Sequence, residues 1–178
     1  MSRSVDDADI RLIRELSRDG RVSITRLSEE TGLSYAAIRN RINRLIKKGL
    51  LEIKPHVSVK LLGNVGALVR FKTRNPSKLA DMLANCNRVL GVMQNNNGDV
   101  IALFFSNSKI SLTNTVERIV HLTRDVQEYS IEYGKLVPSM KVPIKNPVSE
   151  CERCILWKLK FCNGCFPSLR IKKARNKR

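Results

Sequence analysis

Long apolar runs and acidic residues are scarce in this chain of 178 residues. No stretch of about 18 consecutive apolar residues occurs, which excludes a transmembrane helix and argues against a membrane as partner. Residues 1–10 also lack the apolar core of a signal peptide. We therefore expect the protein to stay in the cytoplasm, where cysteine thiols are normally reduced.

Groups that could support catalysis are also few. His56 and His121 are the only histidines. The sequence shows no nucleophile beside a base, no carboxylate pair and no phosphate-binding glycine loop. We therefore expect that the protein is not an enzyme.

The balance of charge points to a polyanion. The chain has 33 lysines and arginines against 16 acidic residues, a formal net charge of +17. A cation placed against a phosphate releases a condensed counterion, so this charge favours nucleic acid as partner. The excess lies at the two ends of the chain: +5 in residues 1–60, +3 in 61–140 and +9 in 141–178.

Apolar residues at helical spacing predict three short helices in residues 1–60. The first follows a group of aspartates and ends at Asp19-Gly20, and the second begins at Ser23 and ends at Gly32. The third is capped by Ser34, runs to Lys48 and is followed by Gly49. Its predicted buried stripe consists of Ile38, Ile42, Leu45 and Ile46. Residues 50–54 and 56–60 read as two short strands around Pro55, which is typical of a wing.

The opposite face of the third helix has the composition of a surface that reads DNA. No acidic residue occurs between Ser34 and Lys48. A helix in the major groove needs small residues for close approach, Asn or Arg for base contacts, and cations near phosphate. A solvated basic face is the competing interpretation, since the helix dipole favours cations near the C-terminus. The face comprises Ala36, Asn40, Asn43, Arg44 and Lys47, flanked by Arg39 and Arg41.

A different pattern of apolar residues begins at Gly66. Alternating apolar residues and helical periods predict the order β-α-β-β-α-β, which is the pattern of a ferredoxin-like sandwich. The turn at residues 95–98 contains Asn97-Gly98, which suits the central hairpin of that pattern.

Several stretches resemble the N-terminal signature of the leucine-responsive regulator family, Lrp/AsnC. They are DDADIRLIREL (6–16), DGR (19–21), LSE (27–29), GLS (32–34), RINRL (41–45) and GLL (49–51). The β-α-β-β-α-β half resembles the effector-binding and assembly domain of the same family. The resemblance covers about residues 5–140 and is strongest in the first 60.

The resemblance implies a DNA-binding transcription regulator. It would be a homodimer, often assembled into tetramers or octamers, on pseudo-palindromic promoter DNA, and so associated with the nucleoid. The implied base contacts are Ser34, Tyr35, Ala36, Arg39, Asn40 and Asn43, although Tyr35 could instead pack inward. The implied phosphate contacts are Arg41, Arg44, Lys47 and the wing residue Lys54.

Many members of that family bind an amino acid near the turn before the third strand of the sandwich. Here the corresponding candidates are Asn96, Asn97, Gly98 and Asp99. An Asn-Gly hairpin also exists for backbone reasons alone, so both interpretations stay open.

Four cysteines near the C-terminus form a second motif, which the family does not ordinarily carry. The spacing Cys151-x2-Cys154-x7-Cys162-x2-Cys165 favours a tetrahedral zinc site with four thiolate ligands. An iron–sulfur cluster or two disulfides are the alternatives. The basic tail after Arg170 is a second DNA contact, a contact with another protein, or a solvated tail. Cys86, in an apolar helix, is predicted to be a core residue.

Together these patterns predict an α+β protein with four parts. They are a winged helix-turn-helix (1–60), a ferredoxin-like βαββαβ effector and assembly domain (61–137), a proline-containing linker (138–149), and a small four-cysteine metal-binding segment with a basic tail (150–178). The expected function is regulation of transcription at specific DNA sites, modulated by a small ligand or by the metal or redox state. The competing functions are a non-specific architectural DNA-binding protein and an enzyme like the haem-pathway decarboxylases, which share the two-domain plan.

Overall fold

A computed structural model describes residues 5–145. The chain divides into two compact units at Ile53/Lys54. We call residues 5–53 the helical unit and residues 54–145 the sheet unit. The four-cysteine motif lies outside the described residues. No helix in the described part of the chain is long and apolar enough to cross a membrane.

The helical unit contains the three predicted helices, α1 (Asp7–Arg18), α2 (Ile24–Thr31) and α3 (Tyr35–Lys47). Polar side chains cap each of them, because the first N–H groups of a helix have no partner within it. Asp6 and Asp9 form a capping box on α1, and the hydroxyl of Ser23 accepts a bond from the amide of Arg26 at 3.2 Å. Gly32 ends α2 at a φ of 70°, in the left-handed region that glycine adopts readily.

The core of the helical unit forms where the apolar stripes of these helices meet. Leu12, Leu16, Leu27 and Ile38 are buried together, and Leu45 is buried as well. The prediction that Ile46 belongs to this stripe is wrong, since its side chain is 46% exposed. Ile46 lies about 80° around the helix from Ile38, beyond the arc that faces α1 and α2.

The prediction of a wing hairpin around Pro55 is also wrong, because its two expected strands do not pair with each other. Residues 51–55 form no strand. Strand β1 (His56–Ser58) pairs with β6 (Lys141–Pro143) instead, and the short helix α4 (Val59–Leu62) follows β1. Pro55 has no N–H to donate, and its carbonyl accepts a bond from the amide of Ile144 at 3.1 Å.

The predicted linker at 138–149 is therefore wrong for its first part. Residues 138–145 belong to the sheet unit, since β6 pairs with β1 and Val142 is buried. Pro143 is tolerated because it lies in a short two-stranded ribbon, where a missing N–H costs little. The predicted boundary at 60/61 likewise falls inside the sheet unit, which begins at Lys54.

The ferredoxin-like arrangement is confirmed in the rest of the sheet unit. Its elements are β2 (Val65–Thr73), α5 (Pro76–Ala84), β3 (Val89–Gln94), β4 (Val100–Ser106), α6 (Lys109–Thr123) and β5 (Val126–Lys135). The strands form an antiparallel sheet in the order β3-β4-β2-β5. Helices α5 and α6 bury one face of this sheet, with Phe71 and Phe104 in contact at a ring separation of 6.3 Å.

Within residues 54–145, the other face of the sheet, which we call the open face, is covered only at one end. There Phe105 and Leu136 are buried against Val59, Leu62 and Val142 of the β1–α4–β6 segment. The remaining surface keeps apolar residues in view of solvent because alternate strand residues point to opposite faces. Leu68 and Met93 are 44% and 57% exposed.

Candidate nucleic-acid interface

Helix α3 presents one polar, acid-free face to solvent. Ser34 caps the helix, its hydroxyl accepting a bond from the amide of Ala37 at 3.3 Å. Ile38 and Leu45, both 0% exposed, fix the opposite side in the core, so the rotation of the helix about its axis is set by packing. We call the exposed residues among the predicted base and phosphate contacts on this helix the reading face. They are Ser34, Tyr35, Ala36, Arg39, Asn40, Asn43 and Lys47.

The exposed residues include those with the chemistry that base recognition needs. Ala36, Asn40, Asn43 and Lys47 fall within an arc of about 60°. Asn side chains can pair with adenine through two hydrogen bonds, and Arg39 on the flank can do so with guanine. Tyr35 is 57% exposed, so the structure favours its outward placement over inward packing.

Two of the predicted phosphate contacts already have acidic partners. Nη1 of Arg41 lies 2.7 Å from Oδ2 of Asp6 and 2.9 Å from Oδ1 of Asp9. Nη2 of Arg44 donates to the other carboxylate oxygen of Asp9. The sequence interpretation used these aspartates only to mark the start of the first helix and missed their arginine partners. The signal for the pairing was the i, i+3 spacing of Arg41 and Arg44 on the flank of α3.

Both carboxylates are held in the charged form. The hydrogen bond from Arg41 lowers the pKa of Asp6, and the backbone amide of Asp9 adds to this effect. Burial works to raise the pKa of Asp9, but hydrogen bonds from Arg44, the amide of Asp6 and Arg41 outweigh it and the net pKa is lowered. The four side chains form a neutral group that joins α1 to α3. We call it the Asp–Arg clamp.

Lys54 is not placed on an exposed wing. Its Nζ donates to the backbone carbonyl of Lys145 at 2.6 Å, and the side chain is half-buried in the sheet unit. The wing hairpin expected at this position does not form, because His56–Ser58 pairs with Lys141–Pro143 instead. The phosphate contact of Lys54 stays a prediction.

The candidate effector turn is organised mainly by Asn95. Its side-chain oxygen accepts bonds from the amides of Asn97 and Asp99 at 3.0 and 2.9 Å, and Gly98 adopts a φ of 83°. These contacts favour the backbone interpretation for Asn96, Asn97 and Gly98.

Asp99 differs from its neighbours in the turn, since it lines a cavity of about 120 Å³ near the edge of the open face. The sequence interpretation missed the other residues of this cavity, which come from alternate positions of β2 and from β5. They are Arg70, Lys72, Glu128, Tyr129 and Ser130. Arg70 lies 3.4 Å from Asp99.

Metal ligands do not gather in the part of the chain that the structure describes. No group of three or more His, Cys, Asp and Glu side chains within residues 5–145 could hold an ion. Cys86 is half-buried and packs against the sandwich core, as predicted. The metal prediction thus rests on Cys151, Cys154, Cys162 and Cys165, which lie outside the described residues.

Sequence comparisons support the assignment of the helical unit. Residues 5–52 match the family described as winged helix-turn-helix DNA-binding. Over 49 residues the chain is 45% identical to an uncharacterized HTH-type transcriptional regulator of Pyrococcus furiosus. The matched residues make up 28% of this chain and 32% of that protein. It is 30% identical over 91 residues to the HTH-type transcriptional regulator LrpA of Mycobacterium tuberculosis, 50% of this chain and 61% of LrpA. In these matches the chain spans between a third and three fifths of the relatives' length.

Solved structures share the fold beyond the helical unit. The crystal structure of Mycobacterium tuberculosis LrpA aligns with a TM-score of 0.63 at 22% identity, covering 76% of this chain and 94% of that chain. A Neisseria meningitidis transcriptional regulator, solved as a complex with L-Met, aligns with a TM-score of 0.58 at 19% identity, covering 82% and 98%. Residues 5–52 are thus a winged helix-turn-helix DNA-binding region, and the chain is similar in sequence and fold to the Lrp/AsnC transcription regulators.

Proposed function

We propose that this protein is a sequence-specific DNA-binding transcription regulator that acts as a homodimer or higher oligomer on promoter DNA. The observation that carries the proposal is the exposed, acid-free face of α3 within a helix-turn-helix. Small and amide side chains occupy the centre of that face, where base edges would lie, and Lys47 lies towards the C-terminal end of the helix, where a phosphate would lie.

Selection from a random duplex library tests this function without knowledge of the target. A specific regulator enriches one sequence motif, and its affinity for that motif exceeds its affinity for random duplex by about a thousandfold or more at physiological salt. An architectural protein enriches no motif and gives an affinity ratio near one. That second outcome would overturn the proposal.

Two variants of α3 then separate base reading from phosphate binding. Asn40→Ala should reduce the preference for the selected motif, since a two-bond contact to a base contributes about 1–3 kcal/mol of discrimination. Lys47→Ala should weaken binding to every duplex alike. It should also reduce the salt slope, which is the slope of log affinity against log salt concentration, by about 0.9. Identical behaviour of the two variants would contradict the placement of α3 in the groove.

For the self-association we propose the open face of the sheet as the contact between two copies. Leu68 and Met93 are exposed there, and a contiguous apolar surface is uncommon on a protein that stays monomeric. A two-fold axis would bring the same patch of both copies together and bury it. Ile101 and Leu103 are half-buried neighbours on the same face.

Sedimentation equilibrium measures this association directly. Leu68→Glu should shift the protein towards monomer, because a buried carboxylate in the contact would lack a partner. Ile110→Glu is the matched control, since Ile110 is 75% exposed on α6, which covers the opposite face. Equal association states for both variants and the wild type would reject this interface.

A small-molecule effector is proposed at the cavity that Asp99 lines. Cations and anions face each other there, Arg70 and Lys72 with Asp99 and Glu128. A zwitterionic amino acid carries the complementary pair of charges, and the Neisseria meningitidis regulator was solved with L-Met. Titration calorimetry against the common amino acids should find a ligand whose heat is lost in Asp99→Asn. Asn96→Ala is the control, because Asn96 is exposed in the same turn and does not line the cavity.

For the four-cysteine segment we propose a zinc site, on the chemistry of its donor set. Four thiolates in two Cys-x-x-Cys pairs suit tetrahedral zinc. Protein purified under reducing conditions should be colourless and contain one zinc per chain, and Cys154→Ser should lose the metal while Cys86→Ser retains it. Visible absorption with bound iron would instead establish the cluster, and metal-free protein lacking free thiols at these positions would establish disulfides.

A further inference from the structure

The charges of α3 divide into two groups. Arg39 and Lys47 are exposed, whereas the side chains of Arg41 and Arg44 are 28% and 37% exposed and contact acidic groups of α1. A count of the cations on this helix therefore overstates the positive charge that it offers to a ligand.

Asp9 is the centre of this arrangement. Its side chain is 0% exposed and accepts from Arg41 through one oxygen and from Arg44 through the other. The amide of Asp6 donates to the same carboxylate at 3.1 Å, and the amide of Asp9 donates back to Asp6 at 2.9 Å. Each carboxylate oxygen thus has charged or backbone partners, which fixes the side chain in one position.

We infer that Asp9 is a positioning residue that withholds Arg41 and Arg44 from the DNA backbone, so that base contacts contribute a larger share of binding. The inference rests on the proposed DNA binding. Arg44 lies about 40° around the helix from Asn40, so a guanidinium released from Asp9 is near enough to the reading face to bind a neighbouring phosphate.

The energetic consequence concerns specificity. Each phosphate contact contributes to all duplexes equally and carries no sequence information. Two additional phosphate contacts would raise the affinity for random and selected DNA alike. The many non-specific sites of the genome would then compete more strongly for the protein. Holding two arginines on α1 therefore keeps the non-specific part of the DNA affinity low.

The test compares Asp9→Asn with the wild type over a salt series, on a selected duplex and on a random one. The Asn side chain keeps the size and cannot hold two guanidinium ions. The slope of log affinity against log salt should steepen by about 0.9 for each arginine that gains a phosphate, and the affinity ratio of selected over random duplex should fall. Asp7→Asn is the control for charge, since Asp7 is exposed in the same first turn.

A double variant separates this role from a purely structural one. Asp9→Asn combined with Arg44→Gln removes the released cation, so the slope should return towards the wild-type value. If Asp9 only supports the fold, Asp9→Asn lowers affinity with an unchanged or shallower slope, and Arg44→Gln restores nothing. That result would overturn the inference.

Two checks keep the outcomes distinct. Arg44→Gln alone provides a test that does not require Asp9→Asn to fold. If Asp9 withholds Arg44 from the DNA backbone in the wild type, this variant keeps the wild-type slope. A slope shallower by about 0.9 would show that Arg44 already binds a phosphate, and it would overturn the inference. Failure of the wild type to prefer any duplex sequence would reject the proposed function itself, whereas a selective wild type with an unchanged slope in Asp9→Asn rejects only the role of Asp9.

Discussion

Nη1 of Arg41 lies 2.9 Å from Oδ1 of Asp9, and this contact joins the first and third helices of the helical unit. The carboxylate is buried and its second oxygen is taken by Arg44. Protonation of Asp9 would weaken both arginine contacts at once, and these contacts join the two helices. The stability of the helical unit should therefore depend on the ionisation of Asp6 and Asp9.

The first prediction concerns acid. The pKa values of Asp6 and Asp9 are lowered from 3.8 in the folded protein. A lowered carboxyl pKa contributes stability that is fully present above the unfolded value and is lost as the pH falls through the folded value. We expect the amides of α1 and α3 to lose protection against hydrogen exchange below about pH 4, as measured by mass spectrometry.

In Asp9→Asn this acid-dependent loss should be smaller, because the variant has already lost the charge at that position. Asp7→Asn should retain the wild-type pH profile. If the profiles of the two variants coincide, the clamp contributes nothing to stability.

The second prediction concerns Gly63, which follows α4. A Cβ atom there would lie 2.3 Å from Cα of Asn107, and the φ of 103° is one that other residues rarely adopt. Gly63→Ala should destabilise the sheet unit by about 3 kcal/mol or more in urea unfolding. Gly134→Ala is the control, since nothing lies within 4 Å of its added Cβ.

The third prediction tests whether residues 138–145 form part of the sheet unit. Val142 is 1% exposed and packs with Val59 and Phe105, whereas Val137 is 64% exposed. Val142→Ala should lower the free energy of unfolding by about 2 kcal/mol, from the lost methyl groups and the cavity they leave. Val137→Ala should change it by less than about 0.5 kcal/mol. Equal small effects would restore the linker interpretation.

The fourth prediction concerns the lysine that was expected to be on a wing. Lys54→Met should leave the salt slope of DNA binding unchanged, because the Nζ of Lys54 is bonded to the carbonyl of Lys145. Lys47→Met should reduce that slope by about 0.9. Filter binding of both variants, measured between low and physiological salt, gives these slopes. Equal reductions of the slope in the two variants would assign Lys54 to the DNA interface.

The features that sequence alone could predict are those set by neighbours along the chain. Ser34 followed by an apolar stripe ending at Leu45 defines a helix and its buried side. The alternation in β2 and the Asn97-Gly98 turn likewise define a sheet with one buried face. These patterns gave the reading face of α3 and the ferredoxin-like order of the sheet unit.

The features that sequence could not predict depend on partners far along the chain. Three-residue strands such as β1 carry too short a pattern to identify β6 as their partner. The positive charge of Arg41 and Arg44 is visible in the sequence, but their acidic partners become apparent only when α1 packs on α3. Ile46 shows the same limit at the edge of a stripe, since its burial depends on how far the neighbouring helices extend.

The backbone bond between Ile144 and Pro55, with Lys54 beside it, has a consequence for how the chain is tethered. The polypeptide enters the sheet unit and returns at the same place, so the loop between these points is closed by the fold. Lys145 therefore lies beside Lys54, the residue at which the sheet unit begins. The two ends of this unit are fastened to each other, so fraying at either end is opposed by the other.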